Sequence, residues 1–132
     1  MSELFSVQLV SPEQTLFDGE AEMVVCRSVA GEIAFLYGHQ PYLGALVDAP
    51  VRIISPGTLQ QAAAVHGGFV QMTGTRLVVL SDLAELKEHI DLARAQRAKQ
   101  EAEAALARDP DDVEAQAALQ RADTRIEVAS SS

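Results

Sequence analysis

The pattern of apolar and polar positions changes period once along the chain, near Asp82. Before that point the apolar runs are short and strand-like. FSVQLV places Phe5, Val7 and Leu9 on one face and Ser6 and Gln8 on the other, the two-residue alternation of a half-buried strand. EMVVC, GEIAFL, VRIIS, AAAVH, FVQMT and RLVVL follow, most of them rich in Val or Ile. Phe17-Asp18-Gly19, Ser55-Pro56-Gly57 and Thr73-Gly74-Thr75 carry turn chemistry between them. Many short strands at close spacing predict a sandwich or barrel. A parallel sheet needs helical crossovers, for which the spacing leaves no room.

After Asp82 the pattern becomes helical. ELKEHIDLARAQRAKQEAEAALARD contains good helix formers and neither Gly nor Pro. Ala95, Ala98, Ala102 and Ala105 recur at helical spacing with Leu106 beside the last. Pro110 ends this helix, because it disfavours helical geometry in the residue before it. A second helix is predicted from Asp111, its cap, with Glu114 at capping-box spacing. Ala115, Leu119, Ala122 and Ile126 form its apolar stripe, and residues 128–132 are expected to fray. The predicted architecture is therefore an all-β sandwich over residues 1–83 followed by an antiparallel two-helix hairpin over 84–132. Alanine buries little area at about 25 cal/mol per Å², so this seam predicts a hairpin that can leave its packing site at small cost.

Composition narrows the function classes. Hydrophobic residues make up 48% of the 132, enough for a packed core, and aromatics only 5%, so that core must be aliphatic. The formal charge of −9 would repel a nucleic-acid backbone. Only Arg27, Arg52 and Arg76 are basic within residues 1–83, and the other seven of ten basic residues lie between Lys87 and Arg125. An acidic ligand would thus meet the C-terminal part. Cys26 is the single cysteine, so no intramolecular disulfide forms, as expected in a reducing compartment. The pattern predicts no signal peptide and no membrane insertion.

His39, His66 and His89 fall one per region with no metal-ligand spacing, so no metal site is predicted. His66-Gly67-Gly68 is similar to a hydrolase oxyanion loop, but between two strands a bulge or close backbone approach is the better reading. Asp91 and Arg94 stand at i, i+3. They read either as a local ion pair or as a nucleotide pocket, with the carboxylate accepting from an adenine amine and the guanidinium meeting phosphate. The residues alone leave open a free-standing ligand-binding sandwich with a helical regulatory tail, and a small hydrolase using His39 or His66.

LVSPEQTLFDGEAEMVV, GEIAFLYGHQPYLGAL, HGGFVQM, LVVLSD and IDLARAQRAKQEAEAAL occur in the order seen in the epsilon subunit of bacterial F-type ATP synthases. The chain resembles that family over almost its whole length. The resemblance implies a non-catalytic rotor subunit, peripheral on the cytoplasmic face of the plasma membrane. Its sandwich would bind the gamma subunit and the c-ring through a docking loop containing Glu32 and His39. Its hairpin would fold down or extend toward the catalytic alpha and beta subunits and hinder ATP hydrolysis. Tyr37 replaces the proline usual before Gly38-His39. No cofactor is required, but the family's nucleotide-binding variant carries (I/L)DxxRA, matched by Ile90 to Ala95. That implies weak regulatory ATP binding at Glu85, Asp91, Arg94, Ala95, Arg121 and Arg125. The arginine expected on the first helix aligns with Glu101, which would repel phosphate or neutralise a neighbouring arginine.

Overall fold

The computed structural model describes residues 3–57 and 61–131. Among the described residues ten strands come first: β1 (Phe5–Val10), β2 (Thr15–Ala21), β3 (Met23–Ser28), β4 (Gly31–Phe35), β5 (Tyr42–Leu46), β6 (Ala49–Ile54), β7 (Gln61–Val65), β8 (Gly68–Met72), β9 (Arg76–Leu80) and β10 (Ala84–Leu86). A 3-10 turn at Lys87–His89 leads to α1 (Leu92–Arg108) and α2 (Val113–Ser130). The strands run β10-β7-β6-β3 and then β5-β8-β9-β1-β2, joined where Ser28 of β3 faces Leu46 of β5, with β4 also paired to β3. The two runs close over one aliphatic core. Phe5, Val7 and Leu9 point inward as their alternation predicts, against Phe35, Val70, Leu77 and Val79.

Three local expectations fail. Phe17-Asp18-Gly19 is not a turn but the middle of β2, where Leu9 faces Phe17 and Val7 faces Gly19. Cross-strand pairing along all of β1 outweighs the local turn preference, and the real turn is made by Ser11 and Gln14. The chain also contains one parallel pair, β1 with β9, since the rest of the sandwich itself serves as the crossover. Glu32, expected on a docking loop with His39, lies instead in β4, a strand paired with β3.

The glycine pair behaves as predicted. Gly67 and Gly68 both have positive φ, and a side-chain carbon on Gly68 would sit 2.1 Å from the Leu80 carbonyl oxygen. The backbone of β8 approaches the end of β9 too closely for any other residue.

The helices start later than expected. Ala84–Leu86 continue the sheet by pairing with Ala63–Val65, and α1 begins only after Asp91, whose side chain caps it by accepting from the Arg94 amide at 3.1 Å. The cap of α2 is Asp112, not Asp111: Asp112 accepts from the Ala115 amide at 3.0 Å. Asp109 has already taken the Asp111 amide at 3.1 Å, which builds the tight link after α1 and passes the capping role one residue on. Residues 128–131 do not fray. Val128 is 1% exposed, and the Ser131 carbonyl accepts from Lys87 Nζ; Ser132 lies outside the described residues.

α2 makes the main helix contact with the sandwich. In β7, Ala63 and Val65 face the central core, whereas Ala62 and Ala64 turn outward against Val128 and Ile90. Four consecutive positions, Ala62 to Val65, are therefore buried, and the residues facing the helix must be small for the backbones to approach. Between the helices the seam is as thin as predicted, with Ala95 and Ala102 buried opposite Ala115 and Ala122. Lys99 and Asp123 add an ion pair at 3.1 Å.

Ala64→Leu should push α2 off β7. Overpacking of about 1–3 kcal/mol is expected to act on the hairpin contact and leave the inner core intact. Hydrogen exchange should then accelerate in α2 with protection of β1, β8 and β9 unchanged.

Candidate functional site

A cavity of about 280 Å³ opens where β10, the 3-10 turn, the start of α1 and the last turns of α2 converge. Its walls are Glu85, His89, Asp91, Arg94, Ala95, Ala98 and Arg125. Five of the six residues expected at a nucleotide site, Glu85, Asp91, Arg94, Ala95 and Arg125, are thus brought together. Arg121 is not among the lining residues. His89 and Ala98 were not foreseen, although His89 stands only two residues before Asp91. Glu101 is also elsewhere: it lines a different groove, with Ala102, Asp112 and Glu114. No ion pair of Glu101 with Arg94 or Arg125 is seen among the described residues. The cavity falls just under the roughly 300–1,000 Å³ usual for small-molecule sites, and two arginines face two carboxylates in it. Both features favour weak anion binding.

Local structure explains the placement. Asp91 is the cap of α1, so it forms a hydrogen bond with the Arg94 backbone, and no Asp91–Arg94 side-chain ion pair is seen among the described residues. Arg94 then projects from the first turn of α1, exposed at the cavity. Alanine at positions 95 and 98 leaves the space that the cavity occupies.

Glu85 Oε1 is the electrostatic centre of the site. Arg125 Nε donates to it at 2.6 Å, and His66 Nε2 donates to the same oxygen at 3.2 Å. The three groups come from α2, β10 and the turn after β7, so they tie the hairpin to the sandwich. The His66 side chain is only 3% exposed. Burial, and then the Arg125 guanidinium, pull its pKa below the ordinary 6.5, against the Glu85 and Asp48 carboxylates, which raise it. With Nε2 donating, Nδ1 carries the lone pair, and it is buried without a hydrogen-bond partner among the described residues.

The other histidine of interest, His39, is half-buried. Its Nδ1 donates to the Gln40 carbonyl at 2.8 Å, and its ring meets Phe35 edge-on at 4.9 Å. Glu32 lies near the start of β4, opposite Arg27 of β3, whereas His39 follows the far end of the same strand. They do not share a loop. Neither His39 nor His66 shares a hydrogen bond with a serine. Ser81 is engaged with Leu83, and Ser11 with Gln14. The pairing of nucleophile and base that a hydrolase needs is absent among the described residues. The Cys26 thiol is buried and pushed up to about 12, which makes it inert packing.

An apolar row crosses the outer face of the second run of strands. Ala45 faces Phe69, Phe69 faces Leu80, and Leu80 faces Val10. Phe69 and Leu80 are 56% and 50% exposed, and Leu43 next to them is 72% exposed. An open groove of about 540 Å³ borders the row, with Pro12 and Asp82 in its wall.

Comparison with known proteins matches both halves of the chain to one family. Residues 4–87 match the domain described as ATP synthase, Delta/Epsilon chain, beta-sandwich domain, and residues 88–130 match its long alpha-helix domain. An ATP synthase epsilon chain of Streptomyces griseus is 40% identical over 120 residues, covering 91% of this chain and 90% of the relative. One from Shouchella clausii is 40% identical over 124 residues, covering 93% and 92%. Among solved structures, a chain of the Euglena gracilis mitochondrial ATP synthase, OSCP/F1/c-ring, superposes with a TM-score of 0.81 at 20% identity, covering 95% of this chain and 80% of that one. At that identity the likeness speaks for the fold.

Proposed function

This chain belongs to the epsilon-subunit family of bacterial F-type ATP synthases, and from that premise we propose that it is a non-catalytic rotor subunit with a movable regulatory hairpin. In this reading the sandwich couples gamma to the c-ring on the cytoplasmic face of the plasma membrane. The hairpin hinders ATP hydrolysis when it extends toward alpha and beta. No helix among the described residues is long and apolar enough to cross a membrane, so partners would hold the subunit there.

The observation that carries the reading is the thinness of the contact between hairpin and sandwich. Its apolar part is Ala62, Ala64, Val128 and Ile90. The rest is polar: Arg125 to Glu85, and Glu127 to Arg27 and Arg52 at 4.0 and 3.8 Å. Partly exposed ion pairs of this kind contribute about 0–1 kcal/mol each, so modest competing contacts on gamma could displace the helix. Removing the chain from Lys87 onward keeps β10 and the whole inner core. That truncated subunit should assemble, and the complex should hydrolyse ATP faster than with the full chain. Equal rates would refute an inhibitory hairpin.

For docking, the exposed apolar row with Phe69 and Leu80 offers the face for gamma, and Glu32 and His39 mark the remaining rotor contacts. Central apolar residues of an interface carry about 1–2 kcal/mol or more each. Phe69→Ser with Leu80→Ser should weaken gamma binding more than tenfold, and Glu32→Ala with His39→Ala should weaken attachment to the rotor. The Phe69/Leu80 double should melt like the unchanged chain, since both side chains are at least half exposed, whereas the Glu32/His39 double loses the ring contact with Phe35 and should melt slightly lower. Undiminished assembly in both would refute the assignment.

For the ligand, the cavity supports weak ATP binding by Arg94 and Arg125, with Glu85 available to the base only if Arg125 releases it. Calorimetry on the isolated chain should give millimolar affinity, about 4 kcal/mol. Arg94→Ala should abolish the heat, and Glu101→Arg should leave it unchanged. Silence at millimolar ATP would remove the nucleotide site.

A further inference from the structure

We propose that His66, Glu85 and Arg125 form a proton-sensitive latch that holds α2 on the sandwich at neutral pH and lets it go on acidification. The proposal rests on the movable hairpin and adds what controls it. Two groups from separate elements converge on one oxygen of the Glu85 carboxylate, at 2.6 Å from Arg125 and 3.2 Å from His66. Neutral His66 suits this arrangement, because it contributes one N–H to an oxygen already neutralised by a guanidinium.

A proton arriving at His66 must go to Nδ1, since Nε2 already carries one. Nδ1 is buried and has no acceptor within reach among the described residues. The docked state would then contain an unsatisfied cationic N–H beside a second cation, both sharing Glu85. The charged groups around the imidazole are Glu85 on β10, Arg125 on α2 and Asp48 in the turn between β5 and β6. Of these, the Arg125 cation leaves when α2 leaves, which relieves the repulsion.

The direction of the pH effect follows from linkage. Burial and Arg125 hold the docked imidazole below its ordinary value of 6.5, and the Arg125 part of that lowering is lost when α2 leaves, so the undocked chain takes up the proton first. Docking is at full strength above that value and is lost as pH falls through and below it.

Small-angle X-ray scattering on the full chain, from about pH 8 down to about pH 5.5, spans the ordinary histidine range. The radius of gyration should rise at the acidic end. His66→Gln keeps an N–H for Glu85 but cannot titrate, so its profile should stay flat and compact. A wild-type chain of constant size, or a His66→Gln chain that expands equally, would overturn the latch. If His66→Gln misfolds, NMR titration of the His66 ring in wild type and Arg125→Gln decides the matter. The midpoint should rise in the variant, and equal midpoints would overturn the proposal. A doubly substituted chain, Arg125→Ala with Ala64→Leu, should be extended even at neutral pH. A compact one would overturn the movable hairpin itself.

Discussion

The packing of α2 on the outer face of β7 is the contact from which the rest of this molecule's organisation follows. A strand with one face on a core normally shows water its other face, and its sequence alternates accordingly. In β7 both faces are covered, so residues 62–65 are all buried and three of them are alanine. Small side chains let the helix come close, but they also bury little apolar area. The same choice that permits docking keeps docking weak. β10 depends on this edge too, since Ala84–Leu86 pair with Ala63–Val65 and bring Glu85 to the base of the hairpin.

The candidate ligand cavity and the Glu85–Arg125 contact lie along that seam, where charge from the two halves meets. The sandwich is poor in basic groups, yet two of its three arginines, Arg27 and Arg52, face Glu127 of α2. In return α2 sends Arg125 to Glu85. The exchange is reciprocal: a carboxylate on each side is met by guanidinium from the other. These pairs set the register of helix on sheet and add modestly to its free energy. The buried His66 differs in kind, because burial and Arg125 hold its pKa below the ordinary 6.5 and so favour the neutral ring. Around this seam the cavity is less a rigid receptacle than a space left between two elements held by a few contacts.

The site was legible to an unequal degree. Asp91, Arg94 and Ala95 form a local motif on one helical turn, so their proximity is nearly guaranteed once the helix forms. Glu85 and Arg125, forty residues apart, met as the resemblance implied. Arg121 did not join them, since it stands one turn earlier on α2 and falls outside the cavity. Glu101, expected beside the arginines, lies along a different groove because of its position on α1. His66 was read only as part of a glycine-rich turn. Its role depends on burial and on a partner nineteen residues away, and neither leaves a local pattern.

The sequence by itself determined the two-part architecture, the inward face of β1, the aliphatic core and the thin alanine seam between the helices. All of these follow from periodicity and from side-chain size, which act over a few residues. It also required glycine where β8 crowds the Leu80 carbonyl. Only the tertiary structure decided that Phe17-Asp18-Gly19 runs as strand, that β1 pairs in parallel with β9, and that Asp112 and not Asp111 caps α2. It alone decided that α2 rather than α1 makes the main contact with the sheet, and that one oxygen of Glu85 is shared by Arg125 and His66. Those outcomes depend on which surfaces compete for the same partner across long sequence separations, and that competition is resolved only when the whole chain has packed.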